Sequence, residues 1–304
     1  RDWSSDVCSS DLGYNPNYLV STDDGATFTY GGRLLRWPRP VGEPLATGID
    51  GGRPYLKYVQ AGEHTIHVIA TDDHPRAYDN SIYHAFIRAG KIHHSDGRVI
   101  APLSTTGEST VAPRDLTTVF QGDAQHVAWM CDVHLDRAGH PRIIFSVQRD
   151  GAKGRGVRDI KIDGQDHRFY HARWDGAKWL VHEIAHAGSR LYAGEDDYTG
   201  LAALDPQNPS VVYISTNADP KTGAPLISTV DQKRHWEIYR GSTTDDGATF
   251  TWTPVTQNSN TDNLRPIVPI WKDARDRTIL LWLRGTYRRY TDYDLDVVAL
   301  LPRL

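Results

Sequence analysis

Two histidines and a tyrosine are the residues of this sequence best suited to move protons. His74 follows the apolar run Thr65–Ala70, and His84 lies ten residues later in the next apolar run. Imidazole exchanges a proton near neutral pH, and a phenol such as that of Tyr198 gives or takes one, or stacks on a sugar ring. A strand, a loop and a second strand of this combined length can bring both imidazoles to the same edge of a sheet. Two ordinary histidines at the surface or the core edge would show the same spacing.

Arginines and further aromatic residues could hold an anionic ligand. Arg149 follows the strand-like stretch Phe145–Gln148, and its guanidinium fork suits a carboxylate, although a solvated loop arginine would look the same. The remaining candidates are side chains that we expect to contact a ligand: His167, Tyr192, Arg265, Arg284 and Tyr287.

The elements that must position these side chains repeat along the chain. The octapeptide Ser21–Phe28, Ser-Thr-Asp-Asp-Gly-Ala-Thr-Phe, recurs with one change at Thr243–Phe250. In such a turn the Asp side chain caps backbone N–H groups and the Gly takes a positive φ. Weaker Asp-Gly copies end at Gly97 and Gly176, so the four turn glycines are 72, 79 and 71 residues apart.

Strand-like apolar runs keep the same period. Those that start at Thr65, Pro141, Ser210 and Thr278 are 76, 69 and 68 residues apart, and no stretch shows a helical period. A unit of roughly 70 residues with about four strands predicts an all-β fold, a β-propeller of four-stranded blades. A β-sandwich with irregular loops is the alternative. The predicted strands are 53–61, 64–71, 81–88 and 98–103; 127–136, 141–148, 168–175 and 180–185; 198–204, 211–216, 235–241 and 250–255; and 263–271, 278–284 and 294–300, with 18–37 as the tail of an earlier blade.

The long loops of such blades share one face, because successive strands alternate in direction. Loops between second and third strands, and loops that lead to the next blade, lie on that face, while the short Asp-Gly turns lie on the opposite one. Tyr198 and Arg265 open innermost strands, which face the central channel, and His74, Arg149 and Tyr192 lie on the long loops. The sequence therefore predicts a binding cleft on the loop-rich face.

Composition excludes several classes of protein. Hydrophobic residues make up 39% of the 304 residues, so general disorder is not expected. The chain has 34 basic and 38 acidic residues, so a nucleic-acid-binding surface is not expected either. No apolar run reaches the ~18 residues that a membrane span needs. Cys8 and Cys131 cannot form a disulfide scaffold, and Cys131 lies in an apolar run where we expect it to be buried and inert.

The first twelve residues, Arg-Asp-Trp-Ser-Ser-Asp-Val-Cys-Ser-Ser-Asp-Leu, are set aside from the fold. They contain Ser-Ser-Asp twice and have no hydrophobic period, and they look like a translated sequencing adapter. We interpret residues 1–12 as non-native and residues 13–304 as a single, incomplete propeller domain.

Several longer phrases of the sequence are more specific than the turns: Asp72–Pro75, Asn80–His84, Asp166-His167, Ala172–Gly176, Tyr198–Pro206, Arg234–Tyr239, Asp262–Pro266 and Leu281–Tyr287. These phrases resemble the BNR-4 repeat family, whose repeats carry Asp-box turns of the neuraminidase kind and which includes ulvan lyases and related polysaccharide lyases. The resemblance covers nearly all of residues 18–300. It implies a seven-bladed propeller, of which this chain would hold about four to five blades after loss of its N-terminal part.

The resemblance implies β-elimination at a uronic acid of an anionic polysaccharide. A cation must neutralise the carboxylate, a base must remove the C5 proton, and an acid must protonate the leaving oxygen. By resemblance, His74 and His84 form the base-side pair, Arg149 neutralises the carboxylate, and Tyr198 is a base or an acid. His94, twenty residues after His74, is a rival for the second histidine.

Two other functions fit the same repeats. A sialidase-like glycoside hydrolase would need a Tyr/Glu pair and clustered arginines, for which Glu237 beside Tyr239 is the one hint. A propeller that binds carbohydrate without catalysis is the third reading. We expect a secreted or periplasmic monomer with an anionic polysaccharide as its partner, no nucleic acid or membrane partner, and no cofactor, although the sequence leaves room for a structural Ca²⁺ or Zn²⁺.

Overall fold

Strands account for nearly all regular structure in the part of the chain that can be described. The computed structural model describes residues 16–36, 54–75, 78–105, 109–150, 164–193, 197–270 and 278–301, so the segment 1–12 lies outside it. Within these ranges the chain forms nineteen strands and one short 3-10 helix, Pro113–Asp115. No helix of the described residues is long and apolar enough to span a bilayer.

Contacts between residues divide the chain into two compact units, the first holding the described residues up to Asp123 and the second those from Ala124 onward. All strand pairs of the first unit are antiparallel. Its first two strands form a hairpin, and the next five form a sheet in chain order, with the last strand paired to the third strand of that sheet. The strands are β1 (Asn17–Val20), β2 (Thr29–Arg33), β3 (Leu56–Ala61), β4 (Thr65–Ala70), β5 (Ile82–Arg88), β6 (Lys91–His93), β7 (Val99–Pro102) and β8 (Thr117–Phe120).

The two faces of β4 and β5 differ in chemistry. Val68, Ala70, Tyr83 and Ala85 join the hydrophobic core of the first unit, together with residues of the segment after β2. Because side chains alternate along a strand, the residues between them point to the opposite face. That face carries the imidazoles of His67 on β4 and His84 on β5.

The second unit contains three antiparallel sheets whose strands follow chain order. The first two sheets have four strands each and the third has three. The strands are β9 (Val127–Leu135), β10 (Pro141–Gln148), β11 (His167–Trp174) and β12 (Trp179–Gly188); β13 (Ala202–Leu204), β14 (Val211–Thr216), β15 (Glu237–Ser242) and β16 (Thr251–Pro254); and β17 (Asp262–Ile267), β18 (Leu280–Arg289) and β19 (Asp292–Leu300).

Successive sheets of the second unit pack face to face through their first strands. β13 contacts β9 on one side and β17 on the other. Along β14, Val212 and Ile214 enter the core shared with the β9–β12 sheet, while Val211 and Tyr213 enter the core shared with the β17–β19 sheet. A strand buried on both faces reads as a continuous apolar run, which explains the sequence Val-Val-Tyr-Ile at this position.

The repeated octapeptide forms the same turn at both of its occurrences. Asp23 Oδ1 accepts the Thr27 N–H at 2.8 Å, and Asp23 Oδ2 accepts the Thr27 hydroxyl at 2.6 Å. Asp245 makes the matching bonds to Thr249 at 2.9 and 2.6 Å. These bonds, led by the one from the Thr27 hydroxyl, lower the pKa of Asp23 to about 2. The turn glycines take φ values of 87° and 92°.

The predicted all-β class and four-stranded units are confirmed, with two differences in the first unit. The strand β8 lies outside every predicted strand and pairs with β5. The predicted strand 98–103 pairs with the short strand β6 rather than with β5. The reason is a two-residue turn at Ala89-Gly90, whose φ values of 49° and 68° close the β5–β6 hairpin. Ala-Gly is not among the usual signals of this turn, so the sequence pattern did not reveal it.

Candidate functional site

Four aromatic side chains and one arginine of the second unit are linked by successive ring contacts. We call Trp129, Tyr192, Tyr198, Arg265 and Tyr287 the aromatic–arginine cluster. The ring centroid of Tyr198 lies 5.8 Å from that of Trp129 and 6.5 Å from that of Tyr192. The centroids of Tyr192 and Tyr287 are 5.5 Å apart, and Arg265 Cζ lies 5.3 Å above the Tyr287 ring. All five side chains are half-buried, so each keeps some surface for a ligand.

The first strands of the three sheets bring this cluster together. Trp129 lies near the start of β9, Tyr198 precedes β13, and Arg265 lies on β17. Tyr287 lies on the part of β18 that extends past its pairing with β17, and Tyr192 follows β12 in the loop to the next sheet. The cluster therefore joins side chains on or just before the first strands of all three sheets to one from the loop after β12 and one from β18.

Backbone hydrogen bonds hold the cluster residues in place. The Leu191 N–H donates to the Tyr198 carbonyl at 2.7 Å, which ties the loop of Tyr192 to the start of β13. The Arg265 N–H donates to the Gly200 carbonyl at 2.7 Å, although Arg265 itself has a φ of 53°. A Cβ at position 200 would lie 2.1 Å from Ser215 Oγ, so only glycine lets the chain pass this close.

The guanidinium of Arg265 has no carboxylate partner among the described residues. Its Nε is shielded from solvent and makes no hydrogen bond within that part of the chain. A buried donor without a partner costs about 1–3 kcal/mol. A cation over an aromatic face, beside further aromatic rings, can neutralise a carboxylate or sulfate while the rings stack on sugar.

Arg149, by contrast, is engaged within the protein. Its Nη1 lies 3.2 Å from Glu183 Oε2, and its N–H donates to the Asp166 carbonyl at 2.8 Å. Glu183 also binds Arg168 Nη1 at 3.0 Å and the Tyr170 hydroxyl at 3.0 Å. A substrate carboxylate would have to compete with Glu183 for Arg149.

This network perturbs the titration of its members. Burial, and then the carboxylate of Glu183, raises the pKa of Tyr170 to about 12. Burial, and then the neighbouring guanidinium of Arg168, lowers the pKa of His186. Both groups are therefore neutral at pH 7, and the network is organised around Glu183.

His74 lies in the first unit, in the loop that follows β4. Its N–H donates to its neighbour Asp73 Oδ1 at 2.6 Å, and its ring stands edge-on to Tyr55 at 5.9 Å. Asn80 spans the same loop, because its amide donates to the Asp73 carbonyl at 2.6 Å and accepts the Asp73 N–H at 2.9 Å. The imidazole is half-buried.

His84 lies on β5 and is 1% exposed. Its Nε2 is 3.0 Å from His67 Nδ1, and its Nδ1 is 2.8 Å from Ser95 Oγ. Burial lowers the pKa of His67 to about 4, and burial together with His67 lowers the pKa of His84 well below its usual range. Two facing ring nitrogens share one proton, so both imidazoles stay neutral. The rival His94 lies nearby, with its Nδ1 3.4 Å from the Thr117 hydroxyl.

The remaining ligand-contact candidates lie on strands of the second unit. His167 begins β11, is 1% exposed, and stands opposite Gln148 and Gly188. Arg284 lies exposed on β18, opposite Asn263 and Asp296. Their roles in binding stay predictions.

The carboxylate of Glu237 serves the fold. It is 4% exposed and accepts the Ser259 N–H and hydroxyl, each at 2.8 Å, together with the Asn263 amide at 3.3 Å. A carboxylate held by three donors is a poor partner for a tyrosine nucleophile, so the geometry does not favour the sialidase-like reading. Among the described residues no group of three or more His, Cys, Asp or Glu could hold a metal ion.

Comparison with known proteins places the chain in a family. The profile of the BNR repeat-containing family matches residues 21–187, which is more than half of the chain. The chain belongs to the BNR repeat-containing family. No curated protein sequence matches this family member.

Among solved structures, this BNR-repeat chain is similar to a polysaccharide lyase, the PL25 ulvan lyase bound to -[GlcA(1-4)Rha3S]-. The TM-score is 0.59 at 18% identity, over 94% of this chain and 58% of that chain. The chain thus spans less than two thirds of the ulvan lyase, and the likeness shows a shared fold. The GH93 α-L-arabinofuranosidase of Fusarium graminearum with arabinobiose matches at a TM-score of 0.46 and 10% identity, over 93% of this chain and 66% of that chain.

Sequence reasoning missed Trp129 of the cluster and His67 of the first unit. Trp129, Tyr198 and Arg265 occupy corresponding places in successive BNR-type units, 69 and 67 residues apart. The repeat period could therefore have found Trp129. No local signal marks His67, because its contact with His84 depends on how β4 and β5 pair.

Proposed function

We propose that this chain is part of a polysaccharide lyase that cleaves an anionic, uronic-acid-containing polysaccharide by β-elimination. The observation that carries the proposal is the Arg265 guanidinium, which lies over Tyr287 without a carboxylate partner among the described residues. Tyr287 in turn contacts Tyr192, which contacts Tyr198, and Tyr198 contacts Trp129. An unused cation beside aromatic rings fits a sugar that carries a carboxylate.

The proposed chemistry assigns a role to each member of the aromatic–arginine cluster. Arg265 holds the uronate carboxylate, so charge that develops at C5 is stabilised. Tyr198, next to the two other rings, takes the C5 proton or delivers a proton to the leaving oxygen. The C5–H and C4–O bonds break, a C4=C5 double bond forms, and the released oxygen gains one proton. Trp129 and Tyr192 stack on the sugars.

His74 and His84 lie in the first unit, and their roles in proton transfer stay predictions. His74 is half-buried, whereas His84 is 1% exposed and its ring nitrogens bind His67 and Ser95. An imidazole that must first leave two hydrogen bonds is a weaker general base.

The proposal also includes the closed form of the fold. In the second unit β13 packs between β9 and β17, so the first strands of three successive sheets lie side by side. Continuing this arrangement would close the sheets around a central channel as blades of a β-propeller.

The decisive experiment follows product formation. The full chain is incubated with a glucuronate-containing rhamnoglycan, and the ultraviolet absorbance of the new double bond, conjugated to the carboxylate, is recorded. A lyase gives a steady rise, which Arg265→Ala reduces by about 100-fold. New reducing ends without the absorbance rise would indicate a hydrolase instead. Binding without either product would indicate a carbohydrate-binding propeller.

A further inference from the structure

A groove of about 550 Å³ lies in the second unit, outside the aromatic–arginine cluster. It runs between the segment after β14 and the strands β15 and β16, and its volume falls within the usual range of ligand pockets. The residues that the inference uses are Asp219, Lys221, Glu237, Tyr239, Trp252 and Asn258.

An aromatic wall forms one side of this groove. Tyr239 pairs with Pro254, and Gly241 pairs with Trp252, so the side chains of Tyr239 and Trp252 share one face of the sheet. A Cβ at position 241 would lie 2.5 Å from Trp252 Cζ3, which means that the indole lies directly on the glycine backbone. The indole also stacks on Phe250, with ring centroids 5.6 Å apart, and the half-buried ring lines the groove, where its exposed part can contact a sugar.

The opposite wall is fixed before any ligand arrives. Asp219 Oδ1 accepts the N–H groups of Lys221 and Thr222 at 3.0 and 2.8 Å, which closes a tight turn. Ala218 and Pro225 form a bridge, and the Thr229 N–H donates to Asn258 Oδ1 at 3.1 Å. A wall tied at three points loses little entropy when a ligand binds.

The charges around the groove select against anions. Asp219 and Glu237 both line it, and Lys221 is the one cation among its lining residues. Burial, and then these two carboxylates, raises the pKa of Tyr239, so its phenol stays protonated and can donate a hydrogen bond. A uronate or sulfate would meet like charge here, whereas a sugar hydroxyl would meet donors and acceptors.

We infer that this groove is a second saccharide site, which binds an uncharged stretch of oligosaccharide with one ring stacked on Trp252 and a hydroxyl held by Tyr239. The two sites would divide their ligands by charge, with uronates at the aromatic–arginine cluster and neutral sugars here. The inference does not need β-elimination, so it can stand if the proposed activity fails.

The test uses the full 304-residue chain and calorimetric titration with two kinds of probe. The neutral probes are cellotriose, mannotriose and arabinotriose, and the anionic probe is trigalacturonate. We expect Trp252→Ala to weaken binding of the best neutral probe at least 10-fold and Tyr239→Phe to weaken it about 3-fold. Arg265→Ala serves as the matched control, because it should weaken trigalacturonate and leave the neutral probe unchanged.

A second variant, which changes only a charge, keeps the test valid if the Trp252→Ala protein does not fold. Asp219→Asn keeps the acceptor oxygen that closes the turn but removes the negative charge. In an Arg265→Ala background, we expect it to raise the affinity of the groove for trigalacturonate several-fold without loss of the neutral probe.

Three results would overturn the inference. The first is that none of the neutral probes binds at concentrations on the order of 10 mM. The second is that Trp252→Ala, folded by circular dichroism, binds the neutral probe as the parent does. The third is that Arg265→Ala removes neutral and anionic probes alike, which would mean that one site takes both.

Discussion

The aromatic–arginine cluster and the histidine pair of the first unit contain equally reactive residue types in opposite states. His67 and His84 lie buried, with 8% and 1% exposure, and they bind each other and Ser95. Tyr198 is half-buried, and Arg265 has no carboxylate partner in the described part of the chain. The first group uses its hydrogen bonds to hold strands together, and the second leaves a cation for a ligand.

This difference shows that residue type alone does not locate a functional site. An imidazole, a phenol or a guanidinium becomes available when it is reachable and its strongest partner is absent. The same contrast holds within the second unit, because Arg149 is paired with Glu183, whereas no acid among the described residues is paired with Arg265. The following variants test whether exposure and the absence of a competing partner decide which residues act on a ligand.

Tyr198→Phe should have the largest effect. If the phenol moves a proton, kcat falls by about 100- to 10,000-fold while KM changes little, since the ring still stacks. The readout is the initial rate of double-bond formation on a uronate polysaccharide.

Tyr290→Phe is the matched control for that variant, because Tyr290 is 72% exposed, and it should keep the parental rate. A Tyr198→Phe protein with an unchanged kcat would remove Tyr198 from the chemistry and leave it a stacking role.

His84→Ala should act mainly on stability. Removing a buried imidazole leaves a cavity and strips His67 and Ser95 of a partner, which together cost about 2–4 kcal/mol of unfolding free energy. Urea unfolding measures the loss, and His64→Ala, at an 86% exposed side chain, should change it by less than about 0.5 kcal/mol. If His84→Ala unfolds like the parent but abolishes turnover, the histidine pair is catalytic and the contrast drawn above is wrong.

The two arginines should separate in ligand affinity. We expect Arg265→Ala to weaken uronate binding at least 10-fold and Arg149→Ala to weaken it less than about 3-fold, because Glu183 already occupies Arg149. Titration calorimetry with trigalacturonate gives both values. The reverse ranking would assign the carboxylate to Arg149.

The smallest expected effect is a pH dependence of stability from His67. Its folded pKa of about 4 lies below the ordinary value of about 6.5, so the unfolded chain binds a proton that the folded chain refuses. Above pH 6.5 His67 is neutral in both the folded and the unfolded chain and does not lower the free energy of unfolding. That free energy falls as the pH drops from 6.5 toward 4. Urea unfolding at pH 7 and pH 5 should show a smaller difference for His67→Gln than for the parent. An equal pH slope in both proteins would show that His67 titrates normally.

The fold was predictable wherever local chemistry decides it. The strands of the β9–β12 sheet agree with their predicted spans within three residues at each end, and the Asp23 and Asp245 turns form the bonds that their spacing predicts. Two strands of the first unit were not predicted: β6, where an Ala-Gly turn closes a hairpin without the usual Asn or Asp, and β8.

The site was predictable only in part. Tyr192, Tyr198, Arg265 and Tyr287 were chosen from loop and strand positions, and the structure brings them into one cluster, although their roles stay predictions. Trp129 was overlooked because its apolar neighbours on β9 suggest an ordinary core strand.

The amino-acid sequence alone determined the period, most of the strands and the Asp-Gly turns, because alternation and turn residues act over a few neighbours. Tertiary structure decided which reactive groups are available. Glu183 reaches Arg149 from 34 residues away, and His67 reaches His84 across a strand pair. Such partners meet only through sheet register, which no short stretch of sequence specifies.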